Sequence, residues 1–337
     1  MITKKDLEKI DTQEMYKIYD KWPEISENSY FSNMPEINLK KCPHIIFGGM
    51  GGSGTIGDIF FSILSKTNTH VTVVKGFNLP KTVNSDSLVV ITSISGNTIE
   101  TISLLENAKK IGAKIIAFSD GGKIREICIK NNIEHRNITK YHSPRASFTS
   151  FLYAMLKVLK PILPIKKSDV LESLKKLEEI SKKINSKNMS TSNPSIEISE
   201  WLNGFPIIYY PLGLQSVAIR FKNSIQENAK THAMVEDVIE SSHNGIVGWN
   251  KESSFQPILL RGNKDGKTTK ERWEILKEFF TSKNIEYKEI ISEDGNILTK
   301  IICLIYLLDY SSIFFAVKLK VDPSPVSAID FIKKRLN

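Results

Sequence analysis

The chain has 337 residues, 41% of them hydrophobic and 25% charged, and at about 150 residues per domain that length predicts roughly two domains. Such ordinary globular composition excludes disorder, collagen and a small disulfide scaffold, and it supports two real cores. Lys and Arg number 46 against 37 Asp and Glu, a formal charge of +9 that suits an anionic partner without naming one.

Residues 1–22 are polar and helical in pattern, without the apolar centre of a signal peptide. An N-terminal helical segment is expected over 1–40. The pattern then alternates. An apolar run at 44–48 meets Gly-Met-Gly-Gly-Ser-Gly and a helix from about Ile56 to Leu64. Further runs lie at 70–74, at 88–92 before Ser-Ile-Ser-Gly-Asn-Thr and a helix through Leu104, and at 114–118 before Asp120-Gly121-Gly122. Short apolar strands separated by helices predict a parallel sheet covered on both faces, with ligands at the carboxyl ends of its strands.

Residues 143–187 read as helix broken by prolines, and the polar stretch 187–196 is expected to hold the domain linker. The alternation restarts with 205–210 and a long helix to Lys230, then 256–262 and a helix through Trp273. A run at 286–291 and an apolar helix over 296–318 follow. Its longest apolar stretch, 301–308, is interrupted by Asp309 and is too short to cross a bilayer. The halves correspond at a period of about 165 residues, which makes two similar doubly wound α/β domains the expected fold. The expected boundaries are 41–187 and 197–337. The second copy lacks the hydroxyl-rich loop, so an anion site is expected in the first alone. Cys42, Cys128 and Cys303 are too scattered for a disulfide framework or a zinc cluster. They read as small buried hydrophobes in a reducing, cytoplasmic setting.

Five groups of residues carry chemistry. The loop Gly48–Gly54 offers backbone amides to an anion at a helix start, but it equally reads as a tight strand-to-helix turn. It matches neither the dinucleotide fingerprint nor the P-loop, and Lys75 has no evident phosphate role. Ser93-Ile94-Ser95-Gly96-Asn97-Thr98 brings three hydroxyls to one helix start, which favours phosphate binding over simple capping by Asn97 or Thr98. Arg145, read at a helix start, opposes the macrodipole unless an anion compensates it; otherwise it is a solvated surface residue. Glu227 and His243 are proton-transfer candidates, although each also reads as an ordinary exposed group. Lys333 shares a stripe with Val326, Ile329 and Leu336 on the terminal helix opening at Pro325, where snorkelling is its default.

Taken together, these motifs resemble the bifunctional phosphoglucose/phosphomannose isomerases best known from archaea, within the phosphoglucose isomerase superfamily. The resemblance runs from about residue 40 to the end, and His-Asn-x-Ile-Val-Gly-Trp with the Asp-Pro-x-Pro-Val ending makes it specific. It implies two sugar isomerase (SIS) domains and metal-independent, cofactor-free interconversion of glucose 6-phosphate and mannose 6-phosphate with fructose 6-phosphate, within glycolysis and gluconeogenesis. Gly52, Ser53, Ser93, Ser95 and Thr98 would bind substrate. Glu227 would be the base of a cis-enediol mechanism, Arg145 would stabilise the intermediate, and His243 and Lys333 (rather than Lys334, on helical phase) would assist ring opening. A homodimer is implied, with His243 contributed across its interface, and neither nucleic acid nor membrane as partner. Three positions depart from the family pattern: Ile94, Ile99 and Gly245, the last where Glu often follows His-Asn. Ser324 and Ser327 are both candidates for the hydroxyl linked to epimer tolerance. Competing readings are another phosphosugar isomerase and a sugar-phosphate sensor, which would need a DNA-binding module that the first 40 residues do not suggest.

Overall fold

The computed structural model describes residues 2–336. The first sheet comprises β1 (His44–Gly48), β2 (His70–Val74), β3 (Leu88–Thr92), β4 (Lys114–Ser119) and β5 (Glu134–Asn137), all parallel, in the order β2-β1-β3-β4-β5. The second comprises β6 (Phe205–Tyr210), β7 (Met234–Asp237), β8 (Phe255–Arg261) and β9 (Lys288–Ile291), also parallel, in the order β7-β6-β8-β9. The second order repeats the first four strands of the first, so the duplication read in the sequence is a duplication of topology.

Every residue of β1 and β3 is buried, as expected for strands covered on both faces. On one face Ile46, Val89, Ile91 and Ala117 pack with Leu104, Leu105 and Ala108 of helix Ile99–Ile111 and with Ile124 and Cys128 of helix Gly122–Lys130. On the other, Phe47 stacks on Phe60 of helix Gly51–Leu64 with ring centroids 5.0 Å apart. In the second sheet Ile207, Tyr209 and Leu259 form a core with Trp249, Trp273 and Phe280. The three cysteines are buried and unbridged, and burial pushes the Cys128 thiol up to about 11.

The chain forms two compact units, and their limits are not contiguous. One is Lys21–Lys176 with Gly295–Ile301 and carries the first sheet; the other takes the segment ending at Asp20, Leu177–Asp294 and the chain from Ile302 onward. Within the 1–40 segment expected from sequence, these units divide the first helices at Asp20 and Lys21. Tyr310 Oη donates to Asp20 Oδ1 at 2.5 Å, and Tyr306 Oη donates to the Tyr19 carbonyl at 2.6 Å. The polar stretch 187–196, where the linker is expected, is tied down by side-chain bonds. Asn193 is fully buried, donates to the carbonyls of Ile184 and Asn188, and caps helix Pro194–Trp201.

The long apolar helix, Ile297–Lys318, is the one helix among the described residues long and apolar enough to cross a membrane, and 89% of its apolar window is buried within the protein. Asp309, which interrupts that apolar run, is fully buried and ion-paired. Arg220 reaches it through Nε at 3.0 Å and Nη2 at 2.6 Å, and Ser224 Oγ donates to it at 2.6 Å. Burial works against the Arg220 charge, but Asp309 outweighs it and holds the guanidinium above its ordinary range.

Candidate active site

In the first sheet the chain runs from β1 outward to β2 and then back to β3 on the opposite side. This makes the carboxyl ends of β1 and β3 a topological switch point, where such sheets bind ligands. Both loops singled out in the sequence leave from there. The first enters helix Gly51–Leu64, which starts five residues before the predicted Ile56 because the glycines themselves form its first turn. A Cβ on Gly54 would lie 2.8 Å from the Gly49 carbonyl oxygen, so the tight turn requires glycine there. Ser53 is buried in that first turn, and the Met50 cap position supplies no side-chain hydrogen bond. Lys75 turns back onto Asp58 at 2.6 Å. Burial raises the Asp58 pKa, although Lys75 opposes the shift.

The second loop separates capping from ligand binding. Thr98 stands at the cap of helix Ile99–Ile111 but makes no side-chain capping bond; its Oγ1 accepts from Ser93 Oγ at 3.1 Å. Asn97 is turned away, its Oδ1 accepting from the Lys123 amide at 3.0 Å and its Nδ2 donating to the Ser95 carbonyl at 3.2 Å. Neither candidate cap serves its own helix, so the helix start presents its amides and dipole to an incoming anion. Ser95 is exposed at the turn. Gly96 adopts φ +68°, and a Cβ there would lie 1.8 Å from the Gly121 carbonyl oxygen. Glycine is thus what lets this loop lie against the turn that follows β4.

Arg145 does not begin a helix. It sits in a turn three residues before helix Phe148–Val158 and is only 4% exposed, which removes the solvated-surface alternative. The turn is pinned by Ser147 Oγ donating to the carbonyls of Tyr141 and Ser143, and by Trp22 Nε1 donating to the Ala146 carbonyl at 2.9 Å.

Glu227, His243 and Lys333 belong to the other compact unit. The predicted long helix to Lys230 is α-helical only over Gln215–Ser224; residues Ile225–Ala229 form a π turn. Such turns recur at functional sites because they re-aim a side chain, and Glu227 lies inside this one. Its frame is fixed by Ser224 on Asp309 and by Asn228 Nδ2 donating to Ser312 Oγ at 2.8 Å. Lys230 adopts a left-handed conformation, and its ammonium donates to the carbonyls of Glu227, Asn228 and Pro323.

His243 is exposed in the loop that follows helix Val238–Ser241, whose start is capped by Asp237. Farther along this loop, Trp249 Nε1 donates to Tyr209 Oη at 2.8 Å, and burial raises the Tyr209 phenol to about 12. A Cβ at Gly245 would meet the Glu236 carboxylate at 2.3 Å, so a carboxylate from β7 lies beside this position. Burial raises the Glu236 pKa.

Helix Ser327–Leu336 has no buried residue, and Ile329, Phe331, Ile332 and Leu336 are all exposed. The stripe shared by Lys333 is therefore not a buried one, and the helix starts two residues later than Pro325. Of the two serines near it, Ser324 is buried with Oγ donating to Asp11 Oδ1 at 3.3 Å, whereas Ser327 is exposed.

Three structural details escaped the sequence reading: the π turn, the Lys230 ammonium and the filled second loop. In the loop after β8, Asp265 accepts from the Gly262 amide at 3.1 Å and from Trp273 Nε1 at 2.9 Å. The chain's own carboxylate occupies the place where the first copy presents hydroxyls. Among the described residues, no three His, Cys, Asp or Glu side chains group as a metal site.

Comparison with known proteins separates the same two halves. Residues 38–156 match the SIS domain model, and residues 191–336 match that of the bacterial phospho-glucose isomerase C-terminal SIS domain. A bifunctional phosphoglucose/phosphomannose isomerase of Caldicellulosiruptor bescii is 30% identical over 96% of this chain and 96% of its own length. One of Aquifex aeolicus is 29% identical over 96% and 98% respectively. A solved glucose-6-phosphate isomerase like protein from Thermus thermophilus shares the fold, with a TM-score of 0.66 at 13% identity over 99% of each chain.

Proposed function

Because the chain belongs to the bifunctional phosphoglucose/phosphomannose isomerase family, we propose that it interconverts glucose 6-phosphate and mannose 6-phosphate with fructose 6-phosphate. The observation that carries this reading is the pair of helix starts without side-chain caps, beside buried hydroxyls, at the switch point of the first sheet. An anion of phosphate size suits that arrangement. Gly52 and Ser53 serve it from one loop, and Ser93, Ser95 and Thr98 from the other.

Isomerisation moves one proton between adjacent carbons. Glu227 removes the C2 proton of the open-chain aldose, and the C2–H electrons form the C1=C2 bond of a cis-enediolate. The former carbonyl oxygen takes up negative charge, which the Arg145 guanidinium stabilises. The proton then returns to C1 while the O2 proton passes to O1, which leaves the C2 ketone and a C1 hydroxyl. Starting from the ketose, return to C2 on one face gives glucose 6-phosphate and on the other mannose 6-phosphate. A positioned carboxylate typically contributes about 10²–10⁴-fold. His243 and Lys333 assist opening of the cyclic sugar, His243 arriving from the partner subunit of a homodimer. Ser324, whose hydroxyl donates to Asp11, and Ser327 are the two candidates for epimer tolerance.

Glu227→Gln tests the assignment. It is expected to abolish turnover of fructose 6-phosphate while calorimetry still detects its binding. Turnover within tenfold of the parent would remove Glu227 from the mechanism.

A further inference from the structure

Lys230 closes the π turn in a left-handed conformation at φ 55°. Its Nζ donates to the Glu227 carbonyl at 2.6 Å, to that of Asn228 at 3.3 Å and to that of Pro323 at 3.2 Å. The first two contacts are what a basic residue does at a helix end: they satisfy carbonyls left without amide partners and complement the dipole. The third is not. It reaches a carbonyl 93 residues farther along the chain.

That carbonyl sits at the root of the terminal helix. Asp322 accepts from Thr12 Oγ1 at 2.6 Å and from the Ser324 amide at 2.9 Å, and Ser324 donates to Asp11. The root is therefore fixed, whereas helix Ser327–Leu336 beyond it buries none of its residues. One ammonium thus bonds carbonyls of both segments, so the position of the Pro323 carbonyl bears on the bonds to Glu227 and Asn228.

We infer that Lys230 is a positioning residue, coupling the placement of Glu227 to the seating of the terminal helix that bears Lys333. The inference rests on the roles assigned above to Glu227 and Lys333. When Lys333 engages substrate, the seated helix bears on its anchored root at Pro323, and the shared ammonium holds the π turn for proton transfer. The contact then acts on the chemical step more than on ground-state binding.

A kinetic double-mutant cycle with fructose 6-phosphate tests this. Lys230→Met is expected to lower kcat by about tenfold or more with KM within about threefold, and Lys230→Arg to restore part of the loss. The decisive reading is the cycle with Lys333→Ala: the Lys333→Ala effect on kcat should shrink at least about fivefold in the Lys230→Met background. Multiplicative effects within about twofold would show a helix cap and no more, and would overturn the coupling. If Lys230→Met does not fold, Lys230→Gln carries the same cycle with the same two outcomes. An active Glu227→Gln enzyme would instead sink the assignment beneath the inference, so the two failures are distinguishable.

Discussion

Asp309→Asn removes one charge from the protein interior at almost constant volume. Asp309 is fully buried and Arg220 is 2% exposed, so the substitution takes the Asp309 counter-charge away from a buried guanidinium. The carboxylate also receives Ser224 Oγ at 2.6 Å and Tyr19 Oη at 3.3 Å. Removing one partner of such a pair costs about 3–5 kcal/mol. For a domain of this size, about 2–4 °C per kcal/mol gives a fall in Tm of roughly 6–20 °C. Differential scanning calorimetry measures it. The loss should exceed that from Arg220→Met/Asp309→Leu, because replacing both charges by apolar side chains removes the uncompensated ion. Ser224 immediately precedes the Glu227 π turn, so kcat should fall as well, measured well below the transition. A melting temperature within about 2 °C of the parent would refute the claim that this pair holds the turn.

Other predictions follow from the same geometry. Gly96→Ala places a Cβ against Gly121 in a left-handed position that costs about 1–2 kcal/mol, and KM for fructose 6-phosphate should rise about tenfold with a smaller change in kcat. An unchanged KM would show that the loop tolerates the shift. Ser93→Ala and Thr98→Val each delete a hydroxyl proposed to face phosphate. Binding by calorimetry should weaken by roughly 10- to 150-fold, the range for hydrogen bonds to charged groups; a loss below about twofold would take that hydroxyl out of the site. The pH dependence comes from His44 and His135. Burial lowers both pKa values, with His70 adding to the effect on His44 and Arg125 and Arg136 to that on His135. Unfolding restores an ordinary imidazole near 6.5, which binds protons more readily, so stability present above that pH falls as pH drops through the folded-state values. Thermal melts should show the transition of the first-sheet unit falling from pH 7.5 to 5.5, and His135→Gln should flatten the slope. An equal slope in the variant would place the dependence elsewhere.

The strands flanked by neighbours on both sides were legible because burial on both faces imposes continuous apolar runs, as in 44–48, 88–92 and 205–210. The strands that escaped, β5 with Glu-His-Arg-Asn and β7 with Met-Val-Glu-Asp, are sheet edges whose partial exposure admits polar residues, whereas the edges β2 and β9 kept readable apolar runs. The 93–98 loop stood out for a related reason: three hydroxyls around one glycine exceed what a cap needs. What the pattern lacked was the fate of Asn97, whose side chain serves the next helix. Glu227 looked like any helical glutamate because a π turn adds one residue to a hydrogen-bond ring and leaves no compositional mark. The stretch 187–196 has the same character: its polar composition gives no sign that Asn193 is buried and bonded.

The central claim is proton transfer at C1 and C2 of a hexose 6-phosphate, and NMR of the protein with fructose 6-phosphate in D₂O, with a chelator present, addresses it most directly. The account predicts that glucose 6-phosphate and mannose 6-phosphate both form and carry solvent deuterium at C2. Bound phosphosugar without product, or product free of deuterium after many turnovers, would contradict it.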